Sequence, residues 1–216
     1  MTSDGEIGAV CNITGVLNPV ELAEAVKHHT PHILLGPVGA LSLAEHLGID
    51  TDSELGTDRL AERFDDAEVP DDFAGQLEFV NERFGEDEED TERDTVGAVA
   101  TDGNRFAAAT STGGRWLALQ GRIGDVPQVG CGYYASEVAA VSTTGAGEAI
   151  AQTTLARLVE RHIEAGLDAQ DAAFEAMATF ERETNATAGL IALDEAGTIA
   201  TAFNSSRMQT AAGSRE

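Results

Sequence analysis

The chain has 216 residues, enough for one domain with a substantial core, and carries 38 acidic against 13 basic side chains for a formal net charge of -25. Such a surface excludes nucleic acid and anionic membranes as partners, because each phosphate contact needs a cation and Lys27 is the single lysine. Two cysteines, Cys11 and Cys131, exclude a disulfide framework; with no charged and apolar leader at the start and no apolar run near the roughly 20 residues that span a bilayer, a cytoplasmic protein is expected.

The excess of acids, together with only 5% aromatics and a sequence pI near 4.3, points to a halophilic protein whose self-repulsion is screened by salt. At 1 M ionic strength that screening acts within about 3 Å. The three Asn-x-Ser/Thr triplets at Asn12, Asn185 and Asn204 are read as accidental.

In chain order, residues 7–17 read as a short strand and loop. Asn18, Pro19 and Glu21 then start a helix whose core stripe is Leu22, Ala23 and Val26. A second helix is predicted from Pro37, with Leu41, Leu43, Ala44 and Leu47 on its apolar side and Gly48 as its stop. Both read as structural. From Asp50 to Asp94 acids dominate, apolar residues cluster in RLAERF and FAGQLEFVNERF, and GEDEEDTERD reads as an extended, mobile tether or a charged surface loop.

TVGAVATDGNRFAAATST, residues 95–112, is the best hairpin in the chain, turning at Asp102-Gly103-Asn104. Apolar or small residues on both faces place it in a sheet covered on both sides. GLIAL, a turn over Asp194 to Gly197, and TIATAF repeat the hairpin logic near the C-terminus. Between them VAAVSTTGAGEAI reads as a strand entering a helix that carries Ile150, Leu155, Leu158, Val159 and Ile163. Another helix, capped by Asp168, carries Ala173, Phe174, Met177 and Phe180. The sum is two packed sheets between helices.

Several patterns carry chemistry. Thr95 stands where the acidic run meets an apolar strand, so cleavage before it would give a hydroxyl nucleophile with its own α-amine as base, although most threonines that begin strands are structural. TSTGG, residues 110–114, returns Thr112 towards Thr95 by antiparallel pairing, or is a threonine-rich strand end. In GRIGDVPQVGCGYYA, Arg122 and Asp125 form either a surface ion pair or a clamp for the carboxylate and ammonium of an α-amino acid. TTGAGEAI, residues 143–150, aims backbone N–H groups at whatever lies before it, and the missing Gly-Lys-Ser/Thr ending argues against a nucleotide. His28, His29 and His32 have metal-like spacing without matching ligands, so no metal is expected.

Taken in order, DTVGAVATDGN, ATSTGG, GRIGD-P and STTGAGE resemble the plant-type L-asparaginase and isoaspartyl peptidase family of N-terminal nucleophile hydrolases. The resemblance runs through nearly the whole chain, since VCNITGVLNPVELAEAV and KHHTPHILLGPVGA are similar to the later part of the family's α subunit. It implies an α+β fold, a four-layer αββα sandwich, as one domain over residues 1–216. An α-subunit-like part, 1–94, would end in an acidic linker over about 66–94, and a β-subunit-like part, 95–216, would follow self-cleavage between Asp94 and Thr95. It further implies Thr95 as nucleophile, Thr112 as its support, and Thr144 and Gly145 as the oxyanion pair. Arg122 would bind the substrate α-carboxylate, Asp125 its ammonium group, and Gly147 would contact the amine.

The expected substrate is a small amino-acid amide or β-aspartyl dipeptide, with no cofactor, and two αβ units are expected to pair. Asp94 stands where the family usually has glycine, as in glycosylasparaginases, while TSTGG favours the asparaginase branch. The family's first strand with its His-Gly-Gly, its long helix and its Asn-Ala-Gly loop are expected to be missing, which raises a non-catalytic remnant as the rival reading.

Overall fold

The computed structural model describes residues 1–84 and 94–214. The GEDEEDTERD tether therefore lies, apart from Asp94, outside the described residues. Among the described residues, three hydrophobic cores organise the fold.

The first core joins two helices, α1 (Pro19–His29) and α2 (Pro37–Leu47), to the short parallel pair β1 (Ala9–Val10) and β2 (Leu34–Leu35). Pro19 starts α1 as expected, but the Asn18 side chain makes no cap bond; its carbonyl accepts from the Glu21 and Leu22 N–H groups instead. Leu22, Ala25 and Val26 are buried, with Ala23 only partly covered. In α2 the buried positions are Ala40 and Ala44 rather than the leucines, because the close approach of α1 leaves room for methyl groups there. Gly48 ends α2.

Two further helices, α3 (Asp58–Asp65) and α4 (Phe73–Phe84), fall in the acidic stretch and bury no residue fully. The Thr57 side chain caps α3 by accepting from Leu60 N–H. Thus the segment read as linker contains a 12-residue helix, α4.

The hairpin forms where predicted, as β3 (Val96–Thr101) paired antiparallel with β4 (Phe106–Ser111). The Asp102 carboxylate accepts from the N–H groups of Asn104 and Arg105, which fixes the turn. The second core lies on the hairpin's inner side, where Val99, Phe106 and Ala108 meet Tyr133, Ala135, Ala140 and Leu193. Coverage on both faces does not hold: β3 is exposed except for half-buried Val99, and its outer positions Val96, Ala98 and Ala100 bury little. Alternating small residues allow either burial state, so the pattern could not decide.

Four antiparallel strands make the other sheet, in the order β5 (Tyr133–Ala135), β6 (Ala139–Gly145), β7 (Ala188–Asp194) and β8 (Ile199–Phe203). Its far side carries α5 (Gly147–Thr153), α6 (Leu155–Glu164) and α7 (Ala169–Thr184) around the third and largest core. The single helix expected over α5 and α6 is broken at Thr154, which adopts a left-handed φ of 48°. The break lets both Ile150 and Leu155 reach full burial. Asp168 caps α7, accepting from Asp171 N–H at 2.9 Å. Phe174 is 57% exposed, because the buried stripe runs through Ala169, Ala172, Ala173, Ala176, Met177 and Phe180 and Phe174 lies beside it. No helix among the described residues is long and apolar enough to cross a membrane.

Candidate active site

A cavity of about 850 Å³ opens between α1, the outer face of the hairpin and the loop that follows β4. Thr95, Thr112, Arg122, Asp125, Gly145 and Gly147 all line it, so four separate stretches of sequence converge on one space. Thr144 is the β6 residue preceding Gly145 and stands outside the cavity wall.

The register of the hairpin, with Val96 opposite Ser111, sets Thr95 beside Thr112. The Thr95 hydroxyl donates to Thr112 Oγ1 at 3.3 Å, and the Thr112 hydroxyl donates to Asp94 Oδ1 at 3.2 Å. Gly114 N–H also donates to Thr112 Oγ1, at 3.0 Å, which fixes that oxygen. A chain of two hydroxyls ending on a carboxylate offers a proton path away from Thr95 Oγ1.

At the other end, β6 delivers Gly145 with φ 146°, a value side chains rarely adopt. A Cβ there would lie 2.6 Å from Ala188 Cα, so only glycine lets the end of β6 cross the start of β7 this closely. Gly147 is constrained from the opposite side: a Cβ would meet Arg122 Nη2 and Asp125 Oδ1, each at 2.7 Å. The bare backbone of Gly147 is thus the floor on which the cation and the carboxylate rest.

Asp125 is 5% exposed, which does not suit the surface-pair reading. Arg122 makes an ion pair with Glu148, through Nε to Oε1 at 2.8 Å and Nη2 to Oε2 at 2.7 Å. Those bonds, from Glu148, hold the Arg122 guanidinium more firmly protonated than usual, with a smaller contribution from the Asp125 charge. By the same contact the Arg122 guanidinium pulls the Glu148 carboxyl below its ordinary value against the opposing effect of burial.

Several wall residues carried no warning in the sequence. Asn12, read only as part of an accidental triplet, donates from Nδ2 to Gly121 O at 3.0 Å and lines the cavity. Helix α1, expected to be only structural, contributes Pro19, Val20, Ala23, Glu24 and Lys27. Two guanidinium–aromatic contacts tie the segment before Thr95 to the loop after Thr112, Arg115 over Phe84 at 3.9 Å and Arg63 over Trp116 at 4.6 Å. Only the Arg-to-Glu148 pair had a sequence signal available, the carboxylate closing the STTGAGE motif.

His28 lies 3.6 Å from Glu24 within α1, and among the described residues no group of three or more His, Cys, Asp or Glu is placed to hold a metal ion.

Comparison with known proteins gives one consistent result. The family model described as asparaginase matches residues 2–216. The chain is similar to an isoaspartyl peptidase/L-asparaginase of Danio rerio, 39% identical over 210 residues that cover 95% of this chain and 64% of that protein. It is 36% identical over 210 residues to a plant-type L-asparaginase of Pyrococcus horikoshii, covering 95% and 68%. With an isoaspartyl peptidase/L-asparaginase of Bos taurus it shares 37% over 214 residues, covering 97% and 66%. The chain thus spans about two thirds of the length of the curated relatives it matches, and 64% of the Danio rerio protein.

Proposed function

The chain belongs to the asparaginase family, and on that premise we propose that it is an amide hydrolase that releases L-aspartate from L-asparagine or β-aspartyl dipeptides through an ester on Thr95. The observation that carries the proposal is the convergence of Thr95, Thr112, Arg122, Asp125, Gly145 and Gly147 on one cavity. In this reading the layers that pack α1 and α2, the hairpin, the four-stranded sheet and α5 to α7 form a four-layer αββα sandwich of the N-terminal nucleophile type.

The chain first cuts itself. Thr95 Oγ1 attacks the Asp94 carbonyl carbon, its proton passes along Thr112 towards the Asp94 carboxylate, and the Asp94–Thr95 C–N bond breaks as the Thr95 nitrogen takes up a proton. The resulting ester opens with water to give a carboxyl end on Asp94 and a free amine on Thr95. That amine is then the base for the same hydroxyl.

Substrate binds with its α-carboxylate on Arg122 and its ammonium group on Asp125, with Gly147 beside the amine. Thr95 Oγ1 attacks the side-chain amide carbon, and the oxyanion is stabilised by Gly145, which lines the cavity, while Thr144 supports it from outside the wall. Ammonia or an amino acid leaves with the proton held by the Thr95 amine, and water hydrolyses the aspartyl ester. Every one of these groups recognises the aspartyl half, so the leaving half is left open. The 3.2 Å contact between Asp94 and Thr112 favours one second reading, a glycosylasparaginase-like amidase, since an acidic residue before the nucleophile is that branch's feature. Two such αβ units are proposed to pair.

Purified protein is expected to release aspartate from L-asparagine or a β-aspartyl dipeptide, and Thr95→Ala to release none. Hydrolysis of glycosylated asparagine alone would move the chain to the amidase branch, and equal rates for wild type and Thr95→Ala would overturn the nucleophile.

A further inference from the structure

Arg122 is the cation that the proposed function assigns to the substrate carboxylate, yet its fork is already engaged. Glu148, in the first turn of α5, holds the Nε and Nη2 side of the guanidinium through two bonds of 2.8 and 2.7 Å. Two readings of this pair are physically distinct: Glu148 either occupies the slot meant for substrate or braces the guanidinium from behind.

Position decides between them. Arg122 forms part of the cavity wall and Glu148 does not, so the carboxylate approaches the guanidinium from outside the cavity. The Glu148 side chain is 55% exposed, whereas that of Arg122 is 20% exposed. Two glycines also lie against the cation: a Cβ on Gly124 would meet Nη1 at 2.7 Å, and one on Gly147 would meet Nη2 at the same distance. A planar guanidinium presents more than one bidentate edge, and the Nη1–Nη2 edge is not the one Glu148 uses.

We infer that Glu148 is a positioning residue, which locks the plane of Arg122 from outside the cavity and leaves its Nη1–Nη2 edge for the α-carboxylate of an aspartyl substrate. The inference rests on the proposed function. An arginine has several rotatable bonds, and fixing them before the ligand arrives removes an ordering cost from binding. Glu148 itself touches neither substrate nor the reacting atoms, and its effect belongs in affinity rather than in turnover.

The test uses the full chain with Glu148→Gln and Glu148→Ala, with L-aspartate as the probe ligand in calorimetry and a β-aspartyl dipeptide in steady-state assays. Loss of a charge-assisted pair at a partly exposed site is expected to weaken L-aspartate binding about tenfold. KM should rise by a similar factor while kcat stays within about twofold. Both variants should still be cut at Asp94–Thr95, because self-cleavage needs no external carboxylate, and that cut reports a correctly folded site.

Unchanged L-aspartate affinity in correctly cut variants overturns the inference and leaves the proposed function standing. Tighter binding overturns it too, by making Glu148 a competitor for the fork. Wild-type protein that binds no L-aspartate brings down the reading of the cavity itself, and the role of Glu148 with it.

Discussion

From Ala139 to Thr143 every residue of β6 is buried between α6 and the hairpin, whereas in β3 only Val99 is even half-buried, although the two strands carry opposite ends of the same cavity. The first holds the backbone of Gly145 by dense packing of alanines, valines and Phe180 around it. The second holds Thr95 through a handful of specific contacts: Val99 in the inner core, Gly97 against Ser142, and the hydroxyl of Thr112. The site therefore combines a frame that resists any change of volume with a strand, the one that carries Thr95, that depends on a few positions, and those positions are where it can be broken separately.

The largest expected effect lies in the frame. Phe180 is fully buried, and Phe180→Ala should cost about 3–5 kcal/mol in denaturant unfolding. Val96, 67% exposed on β3, makes the contrast, with Val96→Ala expected to stay within about 0.5 kcal/mol. Equal losses at both positions would erase the distinction between the strands.

Gly97→Ala is the sharper probe of β3. A Cβ at that position would overlap the Ser142 side chain, whose hydroxyl is itself shared with Thr110 at 2.7 Å. The added methyl should cost about 1–3 kcal/mol and displace the strand that carries Thr95. Self-cleavage, followed on a denaturing gel, should slow more than the loss of stability alone explains; a variant that unfolds earlier but is cut at the normal rate would show that Thr95 does not depend on this contact.

A smaller effect comes from pH. The Arg122 guanidinium depresses the Glu148 carboxyl below its ordinary 4.5, against the opposing effect of burial, so the stability it contributes is present above that value and is lost as pH falls through the depressed one. Exposure to solvent keeps the effect modest. Unfolding midpoints of wild type and Glu148→Gln should therefore converge on acidification below the ordinary carboxylate range. A gap that persists at the lowest pH where the chain stays folded would show that the pair contributes nothing through its charge.

How much of this was legible in the sequence depends on whether a feature is local. The β3–β4 turn was readable because Asp102 binds the N–H groups of residues two and three positions on, and the start of α1 because Pro19 presets its own backbone. The break at Thr154 was not, since neither glycine nor proline marks it and what accompanies it, the full burial of both Ile150 and Leu155, is a tertiary feature. Phe174 escaped for a similar reason: small alanines, not the large side chains, trace the buried stripe of α7. In the site, order and spacing brought out Thr95, Thr112, Arg122 and Asp125, each within a short motif. The partner of Arg122 lies 26 residues away, at the carboxylate that closes the STTGAGE motif, whereas the helices before Thr95 meet the loop after Thr112 through Arg115 and Arg63, contacts that only the folded chain creates.

Whether Thr95 becomes a chain terminus by its own chemistry is read most directly from the intact mass of the purified protein under denaturing conditions. Two fragments that meet between Asp94 and Thr95 are expected in the wild type, and a single uncut chain in Thr95→Ala. A wild-type chain that remains whole while hydrolysing its substrate at full rate would contradict that expectation.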